Sequence, residues 1–143
     1  MTEKSFLMRA AFQGVAELEL GTLAAQKASS ETVKEYAKRL IQSYVKANTE
    51  LRELAKERGV ALPTGIDEDH RVLIDRLRRL SGTDFDREFL DAVIGDHQKG
   101  MAIFKEESEK QISSELKSFA ARILTRLEDY YYSAESIKRE EDL

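Results

Sequence analysis

No cysteine occurs among the 143 residues, and that one absence removes disulfides, thiolate metal sites and cysteine nucleophiles together. Tryptophan is also missing, proline occurs once (Pro63) and glycine only seven times. Strand-rich folds need more turn-forming residues than that. No stretch long enough to cross a bilayer is free of several charges, which excludes a transmembrane helix. The N-terminus, Met-Thr-Glu-Lys-Ser-Phe-Leu, has no basic segment leading into an apolar one, so no signal peptide is read there. The sequence as it stands is therefore expected to be cytoplasmic, or periplasmic or exported if a leader has been trimmed. Against 27 acids stand 23 bases, a net charge of −4 with no concentrated basic stripe. This excludes nucleic acid as the main partner.

What is present is helical periodicity. Charged residues are 35% and hydrophobic ones 41%, as in soluble amphipathic helices. The spacing predicts five helices, over about 5–28, 31–58, 68–80, 84–110 and 114–139. Ser30, Asp67 and Ser113 are expected caps, and Gly59 suits the left-handed position that ends the second helix. Thr83 with Asp86 resembles a capping box for the fourth. The final acidic residues, 140–143, are expected to fray. A gapless shift of 83 residues aligns Phe6-Leu7 with Phe89-Leu90, Ser30 with Ser113 and Leu40 with Ile123. The expected architecture is thus all-α: an antiparallel four-helix bundle in one domain over 1–143. Helical hairpins at 5–58 and 84–139 flank a connecting helix at 67–80.

In such a bundle the helix midpoints share one height. Glu17, Tyr44, His97 and Tyr130 lie there, each on or beside an apolar stripe. A buried carboxylate needs donors, and His97, Tyr44 and Tyr130 are the expected ones. Two readings stay open: a satisfied polar cluster that fixes bundle register, or a metal or small-ligand pocket built from Glu17 and His97. No cofactor is otherwise expected, beyond room for one transition-metal ion. His70, behind Asp67-Glu-Asp69, reads as helix capping or as a surface cation site. Tyr132 faces away from the core and suits a homodimer or protein-partner surface. Arg76, Arg78 and Arg79 read as a solvated face. No nucleophile elbow, phosphate-binding glycine loop or His-Glu-x-x-His occurs, so no catalytic residue is assigned.

The stretches from Ala10 to Ala28, Val45-Lys-Ala-Asn-Thr-Glu-Leu51 and Asp96-His-Gln-Lys99, with Phe119-Ala-Ala121, resemble the bacterial family catalogued as domain of unknown function 4142. The resemblance spans nearly the whole chain. It implies a ferritin-like four-helix bundle whose members are commonly exported, often described as membrane proteins, and without established activity. Glu17 and His97 match positions which that family usually fills in the same way. Similar members carry histidine at the places of Tyr44 and Tyr130, and two phenols in place of imidazoles remove most of the affinity for a metal. The ferritin-like di-iron pattern needs Glu-x-x-His on two helices. Here Asp67 precedes His70 and Ile94 precedes His97, which argues against di-iron chemistry. The functional expectation is a non-enzymatic binding or stress-related accessory protein. The alternatives are a weak metal or redox site at Glu17 and His97, and a protein-interaction module.

Overall fold

Each apolar stripe becomes one helix. In the computed structural model, which describes residues 2–110 and 113–143, these are α1 (Glu3–Lys27), α2 (Glu31–Glu57), α3 (Glu68–Arg78), α4 (Gly82–Glu109) and α5 (Ser114–Glu140). No strand occurs among the described residues. The chain is all-α, as its periodicity predicts. Helices α1 and α2 form one hairpin and α4 and α5 another, with α1 against α4 and α2 against α5. The end contacts give the directions. At one end Ser29 meets Asp86 and Ser30 meets Glu141. At the other, Phe6 packs edge-on to Phe104 and Arg58 reaches Ser113 and Glu115. Neighbouring long helices are therefore antiparallel. The short α3 lies against α1 and α4.

The core is aromatic at both ends. Phe6, Tyr36, Phe85 and Phe89 are fully buried, and Tyr36 donates to the Tyr130 carbonyl at 2.9 Å. On α1 the buried face runs through Phe6, Ala10, Gly14, Glu17, Gly21 and Ala24. A carboxylate thus occupies the centre of an otherwise apolar or small-residue stripe. Gly14 is required by close approach: a Cβ there would collide with the Asn48 side chain, which donates to the Gly14 carbonyl at 3.1 Å.

The two hairpins keep one register. Helices α2 and α5 are each 27 residues long and start 83 residues apart, with Ser30 and Ser113 accepting from the N–H three residues on. Gly59, at φ 64°, ends α2, with Val60 N–H returning to the Ala55 carbonyl.

Two local expectations are corrected. Thr83 and Asp86 do not form a capping box: α4 is preceded by Ser81, whose side chain makes no cap bond. The Asp86 carboxylate, 2% exposed, instead accepts the Ser29 and Ser30 N–H groups, each at 2.9 Å. Its two oxygens thereby cap the turn that leads into α2. The acidic end does not fray either. Asp142 adopts φ 55°, Leu143 N–H bonds the Lys138 carbonyl at 2.9 Å, and the Leu143 side chain packs on the core. These bonds satisfy carbonyls that the end of a helix leaves free. Asp86→Ala is expected to cost about 1–2 kcal/mol, the usual effect of losing a cap. Urea denaturation measures it, and a change within 0.5 kcal/mol, ordinary for surface substitutions, would contradict this role.

Candidate metal centre

The site begins with Asp67. As N-cap of α3, its side chain accepts the His70 N–H at 2.8 Å and meets the His70 Nδ1 at 2.8 and 2.9 Å. One carboxylate thereby fixes both the start of the helix and the angle of the imidazole. The far nitrogen, Nε2, lies 2.7 Å from the Asp96 Oδ2 on α4. Beyond Asp96 is Glu17, brought in by α1 and fully buried. Glu17, His70 and Asp96 each offer a ligand atom, and these atoms lie within 4.8 Å of one another. The Asp96 and His70 side chains retain 14% and 17% exposure. They line a cleft of about 270 Å³ whose other walls include Gln13, Gly100 and Phe104.

Burial and proximity set the charges of the cluster. No N–H or hydroxyl donor reaches either Glu17 oxygen. Burial, then the neighbouring Asp96, pushes its carboxyl well above the ordinary range, which favours the protonated form. Burial works to raise Asp96 as well, but hydrogen bonds from Glu17 and His70 outweigh it and hold Asp96 low and ionised. The bond to Asp96 raises His70 to about 9, against the cost of its partial burial. His97, the neighbour of Asp96 along α4, is pushed down to about 4 by burial and is neutral.

A pH dependence follows. His70 binds its proton more tightly folded than unfolded. Its stabilising effect is complete below 6.5 and is lost as pH rises through about 9. His97 has the opposite shift, so its effect is present above 6.5 and lost as pH falls toward 4. Glu17 acts with His70, since its raised pKa also favours the lower pH. Stability is expected to fall by ~1–2 kcal/mol between pH 7 and 10, discounted for partial exposure. Denaturation across that range checks it, and a fall undiminished in His70→Gln would contradict this origin.

The four residues read as one layer are brought near each other unequally. Tyr44 and His97 meet, hydroxyl to Nε2, at 3.1 Å, while Gln13 donates to the Tyr44 hydroxyl at 2.7 Å. The other nitrogen of His97, Nδ1, donates to the Val93 carbonyl at 2.8 Å. Tyr130 lays its ring 6.3 Å from that of His97 but sends its hydroxyl outward to the Arg39 carbonyl at 2.9 Å. The donors expected for Glu17 are thus committed elsewhere, and its partner is another carboxylate. His70 is not a surface group, because Asp96 draws it inward. Asp96 carried a weak signal in the sequence: it adjoins His97 and lies one helical turn from Val93 and Gly100 on the core side of α4. Nothing in the sequence shows where α3 folds back, so His70 could not be placed. Tyr132 is 65% exposed, with its ring edge-on to Tyr131.

The overall shape has relatives of known structure. CopM in its Cu(I)-bound form superposes with a TM-score of 0.83 at 17% identity, covering 98% of this chain and 97% of that one. The Ag-bound form of CopM gives 0.80 at 18% identity, with the same coverage. A DUF305 protein from Streptomyces coelicolor gives 0.82 at 14% identity, covering 94% and 90%. At such identities the likeness is one of fold. No curated protein matches the sequence. The model of a family described as a domain of unknown function, DUF4142, matches residues 1–137, and the chain belongs to that family.

Proposed function

We propose that this is a non-enzymatic helical protein that binds one divalent transition-metal ion between Glu17, His70 and Asp96. The observation that carries the reading is Glu17: a fully buried carboxylate whose oxygens receive no donor. Glu17 finds only another acid beside it, and an ion is one of the few partners able to explain a buried carboxyl group that no donor reaches. Two carboxylates and an imidazole suit Zn²⁺, Mn²⁺ or Fe²⁺. Oxygen and nitrogen ligands sit about 2.0–2.2 Å from zinc and therefore about 3.4 Å from each other, so His70 and Asp96, now 2.7 Å apart, would part to admit the ion. Asp67 supports the site from outside by orienting His70, as carboxylates commonly do for metal-binding histidines.

The CopM structures hold Cu(I), Cu(II) or silver. The monovalent ions among these favour sulfur ligands. With no cysteine in the chain and no methionine in the cluster, this site favours divalent ions. A role in holding or carrying an ion, as an accessory protein, accords with this chemistry. The pair read from the sequence, Glu17 with His97, is the rival reading, and it requires the release of His97 Nε2 from Tyr44.

Calorimetric titration of chelator-treated protein with Zn²⁺ and Mn²⁺ tests the reading. One ion per chain should bind, and stability should rise by about 2.7 kcal/mol at a hundred times Kd. Loss of binding in His70→Ala with retention in His97→Ala supports the cluster of three. The reverse pattern moves the site to the Glu17–His97 pair, and no saturable binding in the parent overturns both.

A further inference from the structure

A second cleft, of about 460 Å³, lies on another face of the first hairpin and shares no lining residue with the cleft over His70 and Asp96. Its volume falls in the range of small-molecule sites, about 300–1,000 Å³. Its apolar lining comes from Ala11 and Val15 of α1, Leu51 and Ala55 of α2, and Leu62 and Pro63 of the following segment. It extends along α2 from Asn48 to Lys56, about 12 Å at the helical rise. Asn48 sits at one end with its amide bonded to Gly14. Arg52 and Lys56, one turn apart and both exposed, also line it. Arg52 donates only to the Thr49 hydroxyl, and among the described residues no carboxylate pairs with either cation.

An apolar lining with two unpaired cations matches one ligand chemistry. We infer that this cleft binds an anionic amphiphile of the medium-chain carboxylate class. Its tail lies against Val15, Leu51 and Leu62, and its headgroup lies between Arg52 and Lys56. An aliphatic tail gains from leaving water in proportion to the area it covers. The carboxylate adds charge-assisted bonds that a neutral headgroup lacks. The stems of Arg52 and Lys56 extend the apolar surface while their charges stay in water.

Dodecanoate, kept below its micelle-forming concentration, is the probe. Calorimetry should show saturable binding at one per chain. Val15→Phe, which fills the cleft, should weaken it about tenfold, the effect of removing roughly 1.4 kcal/mol of contact. Leu62→Asp, on the non-helical wall, gives the same reading if Val15→Phe does not fold, as judged by circular dichroism. Arg52→Glu combined with Lys56→Glu should weaken dodecanoate and strengthen dodecyltrimethylammonium. Absence of saturable binding, indifference to both cleft variants, or equal affinity of the parent for the two headgroups would each overturn the inference. Metal binding is untouched by any of these outcomes.

Discussion

Asp96→Asn should unfold more easily than the parent by about 2–4 kcal/mol and lose metal binding by roughly 100-fold or more. Asp96 stands at the centre of the cluster, accepting a bond from His70 at 2.7 Å on one side and facing the Glu17 carboxyl group on the other. Breaking a buried charged pair leaves its partner without compensation, and that penalty usually exceeds the net value of the pair. The figure is set below that for a wholly buried pair because Asp96 keeps 14% exposure and because Asn retains one acceptor oxygen. His70 would fall back from about 9 toward its ordinary value, held only by Asp67. The alkaline loss of stability should then shrink in the same variant. Guanidinium denaturation at pH 7 and pH 10, with zinc calorimetry alongside, reads all three effects. A variant as stable as the parent would show that Asp96 is spectator to the fold.

Glu17→Met should act in the opposite direction on stability. Without metal, at neutral to alkaline pH, we expect a gain of about 1–2 kcal/mol, as when buried ionisable groups are replaced by apolar ones of similar size. Glu17 receives no donor to offset its desolvation, and it lies between Gly14 and Gly21 on an otherwise apolar face. Methionine fills a comparable volume and adapts to irregular space. The same variant should bind no zinc, so it cannot gain the stabilisation that the parent gains from the ion. A thermal melt of each protein with and without zinc therefore crosses over: the variant is the more stable alone, the parent the more stable with metal. A destabilised variant would mean that Glu17 serves the fold, and the case for a ligand would fall with it. Paired with Asp96→Asn, this separates a group kept for structure from one kept at a cost.

The sequence made the helices readable because each carries its own evidence. The α2 stripe from Val33 to Ala55 is buried almost residue for residue, and Ser30, Gly59, Asp67 and Ser113 act where their chemistry suits them. Such features depend on neighbours three or four positions away. Glu17 was legible for the same reason, as a charge in a stripe of small and apolar residues. Asp86 and His70 were not. Both have an adequate local role, one near the start of α4 and one in the first turn of α3, and both take their main partners from a segment distant in sequence. Periodicity cannot choose between a local partner and a remote one. Asp96 lay between these cases, beside a histidine whose burial was foreseen but on the side of α4 that only the position of α3 makes significant.

The bonds from Asp86 to Ser29 and Ser30 make the two hairpins unequal. Separated from the rest, the first hairpin would keep its Ser30 cap but lose the carboxylate that closes its turn, along with the hydrogen bond to Glu141. At the start of α5 the second would lose the Arg58 contacts to Ser113 and Glu115 and keep its own Ser113 cap. In amide exchange, the first turn of α2 should therefore open together with the junction of the halves, while the first turn of α5 opens by itself. Two segments that look interchangeable by register differ at their turns, because a side chain of the second closes the turn of the first.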